Sequence, residues 1–438
     1  MKYKRIAPLL LVLLMLTGCY SFNSMELYAL PQRSREYREL QTAVETALGS
    51  GSYSAPLAGA NRQVIQQADL DGDGLDETLV FCKMEGERPL KVLILRRTED
   101  SYALAWTLEG DGTAFDSVQY AQIDGQPGME LLISRRIGEQ VQQFLSVYTL
   151  TDGAALELMS SGYTAYTVVD LDGNQRSDIF VLRANSDGPR AYAELWRFQD
   201  GELRKDAEAS LSTRAEDVKR MLTGDVAPGV PAVFVASAYD ESNLITDVFA
   251  LSGNSFTNIS QNAESGQSAQ TVRNYYVYST DIDGDGLIEL PNTLPLTTQA
   301  GDPASENQYR IIWYNLNPDG SRTEKMSTYH NFGEGWFLYL PEAWCQELFV
   351  TKNRAENGPA GTELSLLGPD GTRSPLVSVY VFNGEQALSM SRADGRFLLT
   401  QRGDVCYAAL LNEAAGLEPE ELKARFSLIS IDLLPGEN

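Results

Sequence analysis

Residues 69–77 read DLDGDGLDE, and residues 281–289 read DIDGDGLIE. Both stretches place an acidic residue at the first, third, fifth and ninth positions and glycine at the fourth and sixth. Carboxylates this close repel one another, so the spelling makes sense in a fold when positive charge sits among them. The frame recurs between the two copies. ADLDGDGLDETLVF around Asp71 is followed by AQIDGQPGMELLIS around Asp124, VDLDGNQRSDIFVL around Asp172, LTGDVAPGVPAVFVA around Asp225 and STDIDGDGLIELP around Asp283, at steps of 53, 48, 53 and 58 residues. A near-constant step of this size marks a repeat architecture, in which one unit cannot bury its faces alone.

Within each step the apolar pattern is that of short strands separated by Gly, Asp and Asn turns. In the second copy SVQYAQI precedes the loop, MELLIS follows it, and QQFLSVYTL and AALELMS complete the unit; the third repeats this with YTAYTVV, SDIFVLR, AYAELWRF and GELRKDA. Four antiparallel strands in about 50 residues is the arithmetic of a β-propeller blade. The expected fold is therefore mainly β, a propeller of about five four-stranded blades over residues 57–328. Before it, residues 19–56 hold an anchor segment and a helix, REYRELQTAVETALG, with Tyr37, Leu40, Val44 and Leu48 at helical spacing and Gly49 as its stop. After it, residues 329–438 read as a smaller α+β domain with strands in NFGEGWFLYLPEAW, LVSVYVF, RFLLTQRG and DVCYAALL and a helix in EPEELKARF.

At the acidic loops the chain resembles the FG-GAP/VCBS repeat family of extracellular propellers, whose blades carry D-x-D-G-D-G-x-x-[DE] between strands. The match is specific in the first, third and fifth copies. It is worn in the second, where Gln122 and Gln126 take the first and fifth places, and in the fourth, which keeps only Asp225. The Phe-Gly and Gly-Ala-Pro words that name the family are not evident. In the C-terminal region the aromatic strand ending in Pro and Trp is similar to the PsbP-like α/β sandwich.

The loop chemistry follows from hard-cation coordination. Calcium takes about 6 to 8 oxygen ligands in a flexible shell, and glycines let the chain curl around it. The first loop offers Asp69, Asp71, Asp73, the carbonyl of Leu75, and Glu77; the third offers Asp170, Asp172, Asn174, the carbonyl of Arg176, and Asp178; the fifth offers Asp281, Asp283, Asp285, the carbonyl of Leu287, and Glu289. Up to three calcium ions are expected, in a structural role. An EF-hand is excluded, because its bidentate Glu at the twelfth place is here Val80, Val181 or Asn292. The competing reading is a set of acidic Asp-Gly turns kept for solubility.

The first 18 residues read as a signal peptide: Lys2, Lys4 and Arg5 precede an apolar run from Ala7 to Leu16 that is too short to span a bilayer. Leu16-Thr17-Gly18-Cys19 resembles a bacterial lipobox, which implies a lipid on Cys19 and an extracytoplasmic, membrane-anchored protein. A formal charge of −25 repels phosphate backbones, which argues against nucleic acid as a partner. Cys82, Cys345 and Cys406 remain as small buried hydrophobes or, for the last two, a bridge.

Catalytic material is thin. His330 is the single histidine, and no phosphate-binding or dinucleotide motif is present. Two readings follow: a non-catalytic binding or scaffold module for a surface protein or glycan, and a glycan-active hydrolase using paired carboxylates. Tyr276 and Tyr278 share a strand face and serve either as a contact patch or as core between blades. Replacing Cys19 with Ala should move the protein from the membrane to the soluble or secreted fraction; unchanged retention and lipid labelling would remove the lipobox reading.

Overall fold

Strand Glu77–Lys83, ETLVFCK, is apolar at consecutive positions, which a strand sustains only when both faces are covered. A computed structural model describes residues 35–99, 101–138, 142–151, 153–185, 188–253, 255–274, 277–298, 308–353 and 360–430, and shows what covers them. The fold is mainly β and propeller-like, built of sheets whose strands pair antiparallel except for Thr297–Thr298, which runs parallel to Leu348–Asn353.

The first sheet holds Ile65–Ala68, Glu77–Lys83, Leu90–Arg97 and Tyr102–Gly110, with Ser52–Tyr53 added to the same edge of Glu77–Lys83. Ser52–Tyr53 thus adds a fifth strand to the first sheet ahead of the repeat that the sequence places from residue 57. The second sheet holds Ala114–Ala121, Glu130–Ile137, Gln142–Thr151 and Ala154–Tyr163; the third holds Ala165–Val169, Asp178–Arg183, Tyr192–Gln199 and Glu202–Ser210; the fourth holds Val218–Ala227, Val230–Ala238, Leu244–Ser252 and Ser255–Asn258. The fifth runs Leu290–Pro295, Tyr309–Leu316, Arg322–Asn331 and Trp336–Leu340, and the late strand Phe426–Leu428 extends it. Position 328 lies inside one of these strands, so the sheet continues past the end of the sequence repeat. The aromatic stretch WFLYL, grouped by sequence with the C-terminal domain, pairs with Ser327–Asn331.

Alternate residues of each strand face different neighbours. Leu79, Phe81, Val92 and Ile94 pack against Phe115, Val118, Leu131 and Ile133 of the second sheet. Leu132, Leu145 and Val147 meet Ile179 and Val181 of the third. Phe180, Leu182 and Leu195 meet Val233, Val235 and Phe249 of the fourth, and Phe234, Val248 and Ala250 meet Leu290, Tyr314 and Leu316 of the fifth. The other face of the first sheet, Val80, Cys82, Leu93 and Leu95, is covered by Val44 of helix Arg35–Leu48. That helix ends at Gly49, whose φ of +55° suits glycine.

The C-terminal region adds a six-stranded sheet, Thr297–Thr298, Leu348–Asn353, Ala360–Leu367, Arg373–Asn383, Val405–Leu411 and Phe397–Arg402, with helices Ala387–Met390 and Pro419–Arg425. Its core joins Leu348, Val350, Leu364, Val377 and Val379 to Tyr329, Trp336 and Leu338 of the fifth sheet. Cys82, Cys345 and Cys406 are all free thiols, so no bridge joins the last two. Tyr278 is a core residue packed with Ala236 and Leu244 rather than part of a surface patch; Tyr276 lies outside the described residues.

His330 sits in this junction, 6% exposed, among the rings of Trp313, Phe332 and Phe337. Neither ring nitrogen has a hydrogen-bond partner, and burial lowers its pKa from 6.5 to about 3. Between those values the unfolded chain holds a proton that the folded chain excludes. The folded state therefore loses stability as pH falls through that window, by about 1.4 kcal/mol per pH unit. His330→Phe should reduce the stability difference between pH 7 and pH 5, measured by urea unfolding, by about 2 kcal/mol; an unchanged difference would place the acid sensitivity elsewhere.

Candidate metal centres

Each loop around Asp71, Asp124 and Asp172 links the first strand of its sheet to the second, and the loop around Asp283 lies between the bridged pair Thr280 and Glu289. The curl is made by side chains accepting backbone N–H groups. Asp69 takes Gly72 and Gly74 at 2.8 and 3.0 Å, Asp170 takes Gly173 and Gln175 at 2.8 and 2.7 Å, and Asp281 takes Gly284 and Gly286 at 2.7 and 2.9 Å. Asp73, Asn174 and Asp285 at the fifth place fix the N–H of Leu75, Arg176 and Leu287 at the seventh. In the first, third and fifth loops the sixth place has a positive φ, even where it is not glycine: Gln175 stands at +68°. That costs about 1 kcal/mol or more, so the loop shape is held against local preference.

The ninth place has a second task that spacing did not reveal. Glu77, Glu130, Asp178 and Glu289 are 0–3% exposed. One oxygen of each accepts the N–H of the apolar residue at the second place, Leu70, Ile123, Leu171 or Ile282. Burial raises the pKa of all four, and pushes Asp178 up to about 7 against the opposing N–H of Leu171.

Oxygens of Asp69, Asp71 and Glu77 converge within 4.8 Å, as do those of Asp170, Asp172 and Asp178, and of Asp281, Asp283, Asp285 and Glu289. Asp73 stands outside the first group. The donor set is hard oxygen throughout, which suits a divalent cation such as calcium.

The sequence reading missed a cationic side chain at each cluster. Arg96 contacts Asp71 Oδ2, lies 3.8 Å from Glu77 Oε1 and sits over the Trp106 ring. Arg197 donates to Asp172 at 3.2 Å and is shared with Asp206. Lys325 Nζ is 3.1 Å from Asp283 and 3.7 Å from Glu289, and also bonds Asp285, whose pKa it lowers. A register signal could have found two of them. The residue 25 places after the third loop position is Arg96, Thr149, Arg197 and Ala250 in the first four repeats. It is cationic where the loop keeps its carboxylates, Thr149 reaching Asp124 at 3.4 Å in the worn second loop, and apolar in the fourth. In the fifth repeat the strand after Leu290–Pro295 starts only at Tyr309, and the cation comes from the strand that follows it, Arg322–Asn331.

The worn copies test the fit. In the second loop Gln122 Oε1 still accepts Gly125 N–H. Its amide nitrogen donates to the carbonyls of Gln126 and of Gly128, the seventh-place residue. A neutral donor thus takes up a carbonyl of the kind that a cation would use. In the fourth repeat the loop is gone: Ala227 pairs with Val230 across a two-residue turn, and the Asp225 carboxylate accepts the N–H of Gly229.

The loops abut. A Cβ on Gly128 (φ +100°) would lie 2.5 Å from Leu70 O, and one on Gly72 would lie 2.4 Å from Pro127. Ser177 N–H donates to Gln122 O at 2.6 Å, and Ile288 N–H to Asp225 O at 2.8 Å. Away from them, an open groove lined by Phe144, Tyr163, Thr164 and Arg183 lies at the junction of the second and third sheets. Cys19 falls outside the described residues.

No family model matches the chain, and no curated protein does. Among solved structures, a rhamnogalacturonan lyase is similar with a TM-score of 0.31 and 11% identity over 82% of this chain and 72% of that one. One from Bacillus licheniformis gives 0.26 and 12% over 82% and 72%, and an exo-β-1,3-galactanase from Phanerochaete chrysosporium 0.24 and 10% over 76% and 80%. Likenesses this slight carry no inference about activity.

The loop contacts make a mutational contrast. Gly173 has open space around its missing Cβ and φ +72°, so Gly173→Ala should cost about 1 kcal/mol, from backbone strain alone. Gly128→Ala adds a clash with main chain of the neighbouring loop and should cost at least about 2 kcal/mol. Equal denaturant midpoints for the two variants would contradict the packing of loop on loop.

Proposed function

We propose that this chain is a lipid-anchored extracytoplasmic protein whose propeller of about five FG-GAP/VCBS-type blades is pinned by calcium and acts as a non-catalytic binding or scaffold module for a protein or glycan. The observation that carries the reading is that the first, third and fifth loops bring their carboxylates together in one geometry, while the second and fourth replace it with an amide or a tight turn. Ten carboxylates converge in the three clusters, against one cationic side chain in each. A divalent ion in a loop would offset two further charges and hold the buried ninth-place acid ionised. The ion's role is structural, because each of the three loops leads into a strand of its sheet and touches the loop or turn of a neighbouring one.

Buried carboxylates outside the loops are engaged by their surroundings. Asp116 takes Arg136 and Gln143, Glu194 takes Arg183 and Trp196, and Asp247 takes Ser212, Asn258 and Ser268. These are structural duties, which favours the binding module over a hydrolase. The groove lined by Phe144 and Tyr163 offers aromatic side chains, which suit a sugar or an apolar side chain, beside an Arg183 held by Glu194 and Ser161. Exchange of the membrane anchor and the partner are each accessible to capture experiments with and without chelator.

A ligand that binds only the folded state stabilises it by about 2.7 kcal/mol at a hundredfold excess over Kd. Calcium should therefore raise the melting temperature and chelation lower it. Asp71→Ala and Asp283→Ala should blunt that response, and Asp225→Ala should leave it intact. No calorimetric heat at millimolar calcium, or the same response from all three variants, would overturn the ion reading.

A further inference from the structure

We infer that Arg96, Arg197 and Lys325 are built-in counter-ions that compete with the divalent cation for the third-place carboxylate and so set the affinity of each loop. The inference rests on the ion reading above and adds its regulation. In the first and third loops the third-place carboxylate has one oxygen turned inward, Asp71 to the N–H of Asp73 and Asp172 to that of Asn174. Its second oxygen is the one that meets Arg96 or Arg197. Asp283 repeats this, one oxygen on Asp285 N–H and the other on Lys325. A cation bound to the cluster needs that outer oxygen, and a guanidinium or ammonium already holding it must leave or be pushed aside.

The repeats support competition over cooperation. Among the first four repeats the position that meets this oxygen is cationic only where the carboxylate cluster is kept, polar in the second and apolar in the fourth. The counter-ion therefore follows the charge it neutralises. It also differs from site to site. Arg96 is held over Trp106, Arg197 is divided between Asp172 and Asp206, and Lys325 touches three of the four carboxylates of its cluster. The fifth loop is the most fully neutralised from within, and removal of Lys325 changes it most.

The test compares Lys325→Met, which keeps an apolar stem and removes the charge, with Lys325→Arg, which keeps the charge, on the full mature chain. Calcium titration by calorimetry and melting temperature in chelator are read for each. For Lys325→Met we expect one site to bind calcium about tenfold more tightly, with a lower melting temperature in chelator and a wider gap between chelated and loaded protein. Lys325→Arg should resemble the parent. Unchanged or weaker calcium binding in Lys325→Met, beside normal binding in the parent, overturns the competition while leaving the ion reading in place. Absence of binding in the parent and both variants overturns both. Binding that emerges only in Lys325→Met supports the competition.

Discussion

The buried carboxylate at the ninth place of the loop ties together most of what is distinctive in this chain. By accepting the N–H of the apolar residue seven places earlier, Glu77, Asp178 or Glu289 closes the loop and draws Leu70, Leu171 or Ile282 into the core. A carboxylate placed this way leaves its second oxygen among two or three others where water is scarce. Desolvation and mutual repulsion then both favour protonation, as the raised pKa values of these acids record. Positive charge at the loop is thus a requirement of the fold's own geometry, and the chain answers it in part with Arg96, Arg197 and Lys325.

Because neighbouring loops meet through main chain, the electrostatics of one sheet bear on the next. Gly128 can approach Leu70 and Gly72 only without a side chain, so the second loop, although Gln122 and Gln126 replace two of its acids, still buttresses the first. Its Gln122 keeps the shape by donating to carbonyls and spares the neighbourhood a further negative charge. The worn copy keeps Asp124 and Glu130 and so carries, at the first, third, fifth and ninth places, two carboxylates fewer than the first loop. The fourth repeat, with a two-residue turn, retains the contact in another form, through Asp225 O and Ile288 N–H.

The repeat was legible because its signal is local. Strand alternation, turn residues and acidic spacing all act within a few residues, and the first four sheets lie over the repeats those signals mark, while the fifth runs on into WFLYL. Lys325 was not, because it reaches Asp283 from a strand more than forty residues on and no spacing rule connects them. The segment between Asn258 and Leu290 was equally opaque. It is held by buried Asp247, which accepts from Ser212, Asn258 and Ser268, and by buried Arg273, which donates to Val277 O and Thr246. Isolated Ser, Thr and Asn residues give no periodicity from which such a network could be read.

The ends of the array follow from the same two-sided strands. A sheet apolar on both faces cannot stand at the end of a stack without exposing one of them. At the first sheet the helix Arg35–Leu48 covers Val80, Cys82, Leu93 and Leu95 with Val44. At the fifth the six-stranded sheet meets Tyr329, Trp336 and Leu338, and Phe426–Leu428 pairs with the last strand. Among the described residues no buried apolar cluster joins the first sheet to the fifth; the contacts run from each sheet to the next and finish on these two caps. Helix and C-terminal sheet are therefore parts of the repeat fold in the energetic sense, since each buries a face that the neighbouring blades leave uncovered.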